Sequence, residues 1–461
     1  MSMHYASPMG KLRIAIIICC LVLILGIFGY AYINDKSSTV LEKDEILANV
    51  EKMNDKDYGY SYISSYVKKY GIENVNTYKI NSAEDKLEKA FYKDVPDEKE
   101  IAKNACLLFI KDYYDTIDLG DKTQVTDAIL KCIFKSIGDP YAYYRSREEY
   151  LEFLNSLQGG EEFVGIGVSM DPETLEIFTV YEESGAAEVG IKSGDIIYGV
   201  DGKTVDDTPL DELLELIKGE PDTTVKITVK RGDKLIEFTV TRKTLTEKSV
   251  YHRMEDDMVG YIQITQFLMD TPAQFKTAVD YCIGNGAIAL VIDLRYNPGG
   301  LVNSVADVVD YLAPDSATRR IISYTELGIE YVYYTNDGHS VDLPIAVICN
   351  EYTASAGELF TAAMRDYGDE GVLDTVIVGT NTYGKGVAQN SFDLYDLSGI
   401  TFTISYFNPP CNINFDGIGV APDFEVEETD DKDAPFETAK EKVLEFTIIN
   451  DSTTVYVGAA A

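Results

Sequence analysis

AIALVIDL at residues 287–294 and IAVIC at residues 345–349 are two continuous apolar runs in the second half of the chain. Runs of this kind are typical of strands in a sheet that is covered on both faces. A turn and a helix near Val302 follow the first run, and a turn and a helix from Glu358 to Arg365 follow the second. Two successive strand–turn–helix units predict an α/β fold with a mainly parallel sheet across residues 246–425.

The preceding segment, residues 159–245, has a different pattern. Apolar and polar residues alternate over residues 225–229 and 236–240, and residues 210–217 carry one apolar helix face. These features predict a small β-rich domain with one main helix. The glycines at 165 and 167 do not indicate a dinucleotide-binding loop, because the third glycine of that motif is missing and no helix start follows.

Three further segments complete the domain organisation. Residues 86–158 have apolar residues at helical spacing and predict an N-terminal helical region. Residues 34–85 are polar with little sustained periodicity, which favours a stalk with some helix. Residues 426–461 predict an acidic segment on the solvated surface and then a C-terminal helix around 438–446.

The N-terminus carries a 20-residue run without a charge, from Ile14 to Ile33. At 1.5 Å per residue this run spans ~30 Å, the thickness of the hydrocarbon core of a bilayer. Lys11 and Arg13 precede it, so residues 1–13 are expected in the cytoplasm and the rest of the chain outside it. A single-pass anchor in the cell membrane, with the domains that follow it extracytoplasmic, is therefore the prediction. A cleaved signal peptide is the rival interpretation.

The composition excludes several classes of function. The 461 residues carry a net charge of −37, which repels nucleic acid, and 45% of them are hydrophobic, which is ample for several cores. There is no Cys-x-x-Cys pair, and the only three histidines are His4, His252 and His339. The sequence therefore has few histidine and cysteine residues that could form a metal centre or a Ser-His-Asp triad.

Ser355 stands where a buried strand turns into a helix, and this position suits a nucleophile because the hydroxyl is exposed near the helix N-terminus. A serine at such a junction is also an ordinary helix N-cap. A nucleophile needs a base. Outside the cytoplasmic N-terminus the candidates are His252, His339 and Lys385, which lies between two glycines after another apolar strand. A lysine acts as a base only if its pKa is lowered by desolvation or a neighbouring cation.

Two sets of motifs resemble known families. Residues 184–202 resemble the middle of a PDZ domain, and Gly165, Ile166, Gly167 and Val168 resemble its carboxylate-binding loop, although an ordinary β-turn is the alternative. The whole set resembles the C-terminal processing peptidases, also called tail-specific proteases, which are serine peptidases with a Ser-Lys dyad. The motifs are Ile137–Tyr141, the PDZ stretch, Asp293–Gly300, Thr353–Glu358, Gly384–Gln389 and Gly417–Asp423.

This resemblance implies a crotonase/ClpP-like protease core with an inserted PDZ domain, an N-terminal helical region and one transmembrane helix. It makes Ser355 the nucleophile and Lys385 the general base, with Gln389, one helical turn beyond, orienting the lysine. The oxyanion would be held by backbone N–H groups of Ala356, Gly299 and Gly300. By the same resemblance Asp366 is structural. No cofactor and no metal are implied.

The implied function is that of a membrane-anchored, exported serine endopeptidase, which captures proteins or peptides with exposed apolar C-termini through its PDZ domain. The resemblance also implies a homodimer and a PDZ domain whose movement gates activity. A catalytically inactive PDZ scaffold at the membrane surface is the alternative. An acyl-CoA enzyme on the same type of core is a third interpretation.

Overall fold

The computed structural model describes residues 39–52, 62–160, 162–170, 174–181, 183–205, 207–232, 234–246, 248–316, 318–326, 328–428 and 433–457. The predicted cytoplasmic N-terminus and transmembrane helix, residues 1–13 and 14–33, lie outside these ranges. Within them, no helix combines the length and the apolar character that crossing a membrane requires.

The helices in these ranges are α1 (Lys43–Lys52), α2 (Ile63–Tyr70), α3 (Thr77–Ala90), α4 (Glu98–Asp112), α5 (Lys122–Ser136), α6 (Arg147–Ser156), α7 (Gly185–Val189), α8 (Leu210–Ile217), α9 (Thr271–Gly284), α10 (Val302–Leu312), α11 (Ala356–Asp369) and α12 (Ala434–Val457).

The strands are β1 (Tyr143–Arg145), β2 (Glu162–Gly165), β3 (Val168–Met170), β4 (Ile177–Val180), β5 (Ile196–Val200), β6 (Lys203–Thr204), β7 (Thr224–Arg231), β8 (Lys234–Thr241), β9 (Lys243–Thr246), β10 (Val250–Met254), β11 (Val259–Ile264), β12 (Ala289–Asp293), β13 (Arg320–Glu326), β14 (Ile329–Tyr334), β15 (Ile345–Cys349), β16 (Thr375–Gly379), β17 (Val387–Asp393), β18 (Gly399–Asn408) and β19 (Phe424–Glu425).

The chain divides into two compact units. The first, called here the helical unit, comprises the described residues up to 150 together with residues 390–403. The second, called here the sheet unit, comprises residues 151–389 and the described residues from 404 onward.

The predicted parallel sheet is present in the sheet unit. Its strand order is β10-β11-β12-β15-β16-β19, and all neighbours pair in parallel except the edge strand β10, which pairs antiparallel with β11. Every residue of β12 and β15 is buried, as expected for strands covered on both faces. The two apolar runs at 287–294 and 345–349 therefore form the centre of the sheet.

The C-terminal helix α12 covers one face of this sheet. Phe436, Ala439 and Val443 pack into the same apolar cluster as alternate residues of the central strands, among them Val291 and Ile348. The prediction of a helix at 438–446 is confirmed, and the helix is longer, since it begins at Ala434 and ends at Val457.

The described residues of the acidic segment before this helix, Glu425, Glu427, Glu428 and Asp433, are exposed, as predicted for solvated surface, but two of them also have a specific partner. Glu428 and Asp433 both form ion pairs with Arg295, whose side chain is only 12% exposed. Arg295 also pairs with Asp293 at the end of β12. The sequence did not indicate these ion pairs, because the partner cation lies more than 130 residues away from the acidic run.

The PDZ region, inside the sheet unit, forms a small β-rich module. A four-stranded sheet has the order β6-β5-β7-β8, β2 pairs with β9, and β3 pairs with β4. A separate apolar core includes Ile166, Ile197, Leu213 and Ile227. This arrangement confirms the prediction of a β-rich module with one main helix, α8.

The helical unit begins earlier than the sequence suggested. Residues 34–85 were expected to form a stalk with some helix, but α1, α2 and the first part of α3 lie in this stretch and bury Ile46, Ile63, Val67 and Ile80 almost completely. These helices have only 8 to 14 residues. Short helices depend on tertiary packing for stability, so the apolar pattern of each is too brief to stand out in the sequence.

Glu84 is a buried carboxyl group in this unit. It lies on α3 and is 2% exposed, and both of its oxygens accept the backbone N–H of Ile63, at 3.0 and 2.9 Å. Burial raises its pKa from 4.5 to about 8, although the hydrogen bond from Ile63 opposes the shift; the nearby Glu88 and Glu98 raise it further. The folded unit therefore favours the protonated group.

This burial predicts a pH dependence of stability. A raised carboxyl pKa contributes stability that is complete below the ordinary pKa and lost as the pH rises toward 8. Between pH 5 and pH 8 the wild-type melting temperature should fall by about 5 °C more than that of Glu84→Gln, which cannot ionise. Glu45→Gln, at an exposed position on α1, is the control and should follow the wild type. Parallel pH profiles for all three proteins would contradict the assignment.

Candidate active site

The loops that follow β12, β15 and β16 leave the same edge of the sheet, because these neighbouring strands are parallel. They carry the Gly299-Gly300 turn, Ser355 and Lys385, respectively. The sheet topology therefore brings together three parts of the chain that the sequence singled out separately.

Ser355 is the N-cap of α11 and is held in a strained backbone conformation. Its φ is +54° and its ψ is −114°, and its side chain is almost buried, at 7% exposure. A non-glycine residue with positive φ at a strand-to-helix turn is the geometry of a nucleophile elbow. The position fits the predicted nucleophile better than an ordinary N-cap, which is typically extended.

Asn297 connects the first two of these loops. Its carbonyl accepts the N–H of Ala354 at 2.8 Å, beside Ser355, and its side-chain oxygen accepts the N–H of Gly299 at 2.8 Å. Its side-chain amide donates to Ile264 at 2.7 Å. Asn297 is fully buried, so it fixes the loop after β12 against the nucleophile loop.

The glycines at 299 and 300 are required by close backbone approach. A Cβ on Gly299 would lie 2.7 Å from the Cβ of Ser355 and 2.9 Å from the Ala356 nitrogen, and a Cβ on Gly300 would lie 2.2 Å from the Phe267 carbonyl oxygen. Both residues also have positive φ. The predicted steric reason for glycine at this turn is therefore present.

The predicted oxyanion donors differ in their surroundings. The N–H of Gly299 is already engaged by Asn297, which assigns this residue a structural role in the turn. Gly300 and Ala356 stay the predicted donors, and Ala356 provides the first N–H of α11, where the helix dipole favours negative charge.

Glu358 links the nucleophile loop to the lysine loop. Its carboxylate is fully buried and accepts four hydrogen bonds. One oxygen accepts the backbone N–H of Ser355 and that of Lys385, each at 2.8 Å. The other accepts the N–H of Gly384 and the hydroxyl of Thr382, each at 2.6 Å.

Burial and these hydrogen bonds have opposite effects on the pKa of Glu358. The pKa of its carboxyl group is raised above the ordinary value, because the effect of burial outweighs the hydrogen bonds from Thr382, Lys385, Gly384 and Ser355, which lower the pKa. Four donors match the four lone-pair positions of an ionised carboxylate. Sequence reasoning missed this residue, although the spacing of Ser355 and Glu358, N-cap and N3, is that of a capping box and could have identified it.

The backbone of the predicted base, Lys385, lies close to that of Ser355. One oxygen of Glu358 accepts hydrogen bonds from the backbone N–H groups of both residues. The prediction for Gln389 contained an error. Gln389 lies on strand β17 rather than one helical turn beyond Lys385, and its side chain donates to the Val387 carbonyl at 3.1 Å. Its orienting role stays a prediction.

The two alternative bases lie elsewhere. His252 is on the edge strand β10, three strands from β15, or ~14 Å at the usual strand spacing. His339 stacks on Tyr311 at the end of α10, ~15 Å along that helix from the Gly299-Gly300 turn. Lys385 is therefore the base candidate that the fold places beside Ser355.

Asp366 is also remote from the chemistry. It lies eleven residues after Ser355 on α11, ~16 Å along the helix. Its carboxylate is buried and accepts the N–H of Cys411 at 2.9 Å. These contacts agree with the structural role that was predicted for it.

The predicted peptide-binding loop, residues 165–168, is anchored through its carbonyl groups. Ile166 O accepts the N–H of Ala186, and Gly167 O accepts that of Tyr181, each at 3.0 Å. Gly167 has a φ of +82°, and a Cβ there would lie 2.1 Å from Ser184. Val168 begins β3 and packs against the PDZ core.

One pair of tyrosines connects the nucleophile loop to the PDZ module. Tyr352, three residues before Ser355, donates to Glu176 of the PDZ module at 3.0 Å. Its ring stacks on Tyr296, which donates to Glu428 at 3.1 Å. This contact was not predicted, because neither tyrosine belongs to a recognisable motif.

Groups of acidic side chains that come within 4.8 Å of one another, as a cation site requires, occur elsewhere. Neither group contains a residue of this site: one is Glu84, Glu88 and Glu98, and the other is Asp310, Asp315 and Asp337.

The role of Glu358 can be tested without an activity measurement. Glu358→Gln keeps the size of the side chain but replaces one acceptor oxygen by an NH₂ group. The backbone N–H or hydroxyl groups that donated to that oxygen are then buried without an acceptor. The free energy of unfolding of the sheet unit should fall by about 2–3 kcal/mol. Hydrogen exchange of the Gly384 and Lys385 amides should become faster. Glu351→Gln, at an exposed position on the nucleophile loop, is the control and should cost less than about 0.5 kcal/mol. Equal effects of the two substitutions would refute the linking role.

Comparison with known proteins gives two family matches. Residues 258–426 match the model of peptidase family S41, and residues 164–241 match that of a PDZ domain. These two regions fall within the predicted core, 246–425 with one residue beyond it, and within the predicted PDZ domain, 159–245.

Curated relatives align over both regions. A "Probable CtpA-like serine protease" of Staphylococcus haemolyticus is 31% identical over 321 residues, 68% of this chain and 62% of the relative. A protein of the same name from Staphylococcus aureus strain COL is 30% identical over 331 residues, 70% of this chain and 64% of the relative. The chain thus spans less than two thirds of the length of these relatives.

Solved structures share the fold. The photosystem II D1 C-terminal processing protease has a TM-score of 0.51 at 22% identity, covering 80% of this chain and 94% of that one. A Bacteroides fragilis protein described as an S41 protease has a TM-score of 0.50 at 16% identity, covering 89% and 100%. The fold is thus that of S41 peptidases, and the finer likeness to crotonase and ClpP stays a prediction. Together with the two family matches, these similarities mean that the chain belongs to the C-terminal processing peptidases of family S41 that carry a PDZ domain.

Proposed function

We propose that the protein is a serine endopeptidase that captures substrate C-termini with its PDZ module and cleaves peptide bonds with a Ser355–Lys385 dyad. The observation that carries this proposal is the Glu358 carboxylate, one oxygen of which binds the backbone N–H groups of both residues. A buried charge is costly unless it is fully hydrogen-bonded, and these bonds hold the two loops in one arrangement.

The reaction follows the scheme of a hydroxyl nucleophile with an amine base. Lys385, in its neutral form, takes the proton of the Ser355 hydroxyl as the oxygen attacks the carbonyl carbon of the scissile bond. The N–H groups of Gly300 and Ala356 stabilise the oxyanion, and one such donor is worth ~3 kcal/mol. The Lys385 ammonium then protonates the leaving amine. Water, deprotonated by Lys385, hydrolyses the acyl-enzyme and regenerates Ser355.

The PDZ module supplies substrate capture. β3 is a short strand that pairs with β4, and Val168 and Met170 on β3 pack against the PDZ core, as do Leu210 and Leu214 of α8. An extended peptide can add to such a strand while its apolar side chains contact the helix. The loop at 165–168 would present backbone N–H groups to the terminal carboxylate.

The cellular setting is part of the proposal. The uncharged run at 14–33, with Lys11 and Arg13 before it, supports a single-pass anchor in the cell membrane and a catalytic part outside the cytoplasm. Substrates would then be exported or surface proteins with exposed apolar C-termini. A homodimer is proposed on the family resemblance alone.

The dyad is tested by two substitutions. Ser355→Ala and Lys385→Ala should each lower kcat by about 10⁴-fold or more, because neither partner works alone. Cleavage of an unfolded protein and labelling by a serine-reactive phosphonate are the measurements. Lys226→Ala, an exposed lysine of the PDZ module, is the control and should leave both unchanged. Full activity of Ser355→Ala would refute the assignment of Ser355 as the nucleophile. Normal turnover of Lys385→Ala would make His252 or His339 the candidate base instead. A wild type that neither cleaves nor labels would favour the inactive scaffold.

Tail capture is tested in the Ser355→Ala background, in which bound peptide is not cleaved. Met170→Asp places a negative charge on β3 and should weaken binding of a peptide with an apolar, free C-terminus by at least about 10-fold. Leu235→Asp, at a side chain 57% exposed on the β7–β8 hairpin, is the matched control. Fluorescence anisotropy measures binding, and the same peptide with an amidated C-terminus should bind weakly to the wild type. Equal affinities for the free and amidated peptides would contradict carboxylate recognition.

A further inference from the structure

Two large apolar side chains face solvent beside the lysine loop. Tyr383, two residues before Lys385, is 63% exposed, and Ile418, on the loop that packs against this stretch, is 66% exposed. The two residues come from segments 35 positions apart. The backbones of the two loops are in contact, since a Cβ on Gly384 would lie 3.2 Å from the Ile418 nitrogen.

The backbone around Tyr383 is fixed. Its N–H donates to Thr353 O on the nucleophile loop at 3.0 Å. Its neighbours on both sides, Thr382 and Gly384, donate to Glu358. The exposed ring of Tyr383 therefore projects from a segment that is tied to the catalytic loops.

The backbone around Ile418 is fixed as well. Its N–H donates to the carbonyl of the buried Phe415 at 3.0 Å, and its own carbonyl accepts the Asn381 side chain at 2.9 Å. Gly417 and Gly419 flank it, with φ values of +73° and +74°, and Gly417 N donates to Gly384 O at 2.8 Å. These bonds hold Ile418 on a tight turn against the lysine loop.

A rigid backbone that presents apolar side chains to water is unfavourable for the isolated protein, because the apolar surface stays hydrated. Apolar side chains that are exposed together on a fixed framework are typical of binding sites. Because these side chains lie beside the loop of the proposed base, the molecule that would cover them is the polypeptide substrate that is being cleaved.

We propose that Tyr383 and Ile418 form the wall of a substrate subsite that accepts an apolar side chain flanking the scissile bond. This inference rests on the proposed function and adds a second point of selection to it. The PDZ module reads the end of the substrate chain, whereas this subsite determines where the chain is cut. The Ile418 loop thereby has a role in specificity besides supporting the lysine loop.

The test is a map of cleavage sites. An unfolded protein substrate is digested with the wild type, Ile418→Ser and Tyr383→Ser, and mass spectrometry assigns the residues on both sides of each cut. The matched controls are Ile329→Ser and Tyr331→Ser, at side chains 58% and 41% exposed on the β13–β14 hairpin. The conservative variant Ile418→Val checks that the loop folds.

Both subsite variants should lower kcat/KM at sites with an apolar flanking residue by about 10-fold and leave sites with small or polar flanking residues nearly unchanged. The rate of phosphonate labelling should stay at the wild-type value, which shows that the dyad is intact. Ile418→Val and the hairpin controls should reproduce the wild-type map.

An unchanged map with normal labelling would overturn the subsite while leaving the peptidase function standing. An equal fall at every site with slowed labelling would also overturn it, since the residues would then act only through the lysine loop. A wild type that neither cleaves nor labels would refute the proposed function itself, and the subsite with it.

Discussion

The buried carboxylate of Glu358 is the contact on which the arrangement of the site depends. Parallel strands bring the loops after β12, β15 and β16 to one edge of the sheet, but a shared edge places loops only to within several ångströms. Glu358 reduces this freedom, because its two oxygens bind three backbone N–H groups and one hydroxyl of two loops. Asn297 limits the freedom of the loop after β12 in a similar way, because it accepts hydrogen bonds from the N–H groups of Ala354 and Gly299. A charge without access to water tolerates few alternative arrangements, so the loops are held in register with one another.

Much of the sheet unit was predictable, because its signals are long and local. The apolar runs at 287–294 and 345–349 are typical of buried strands and form β12 and β15 at the centre of the sheet. The helical unit was predicted less well. α1 and α2 have ten and eight residues, and their apolar faces are evident only from what they pack against. The partners of the acidic segment were hidden for the same reason, since Arg295 is distant in sequence from Glu428.

In the candidate site, too, some features were predictable from the sequence and others were not. Ser355, Lys385 and the paired glycines lie in motifs, and the loops that carry them leave one edge of the sheet. The roles of the residues that position them were not evident: Asn297 lies inside the Asp293–Gly300 motif but acts through its contacts with Gly299, Ala354 and Ile264, and Tyr352 contacts a different module. The misplacement of Gln389 has a simple cause, because a spacing of four residues fits a helical turn and also two repeats of a strand. Only the β17 pairing decides between them.

The position of Glu358 also constrains how Lys385 can act as a base. Glu358 binds the backbone N–H of Lys385, and a carboxylate that also came close to the side-chain amine would favour the ammonium form, the opposite of what proton abstraction requires. Four donors satisfy this carboxylate and disperse its charge, but they do not remove the charge. A lysine base in general needs a site that excludes water or holds a neighbouring cation. Tyr383 lies on the lysine loop and Ile418 beside it, so an apolar substrate side chain that covers them would exclude water from this part of the site.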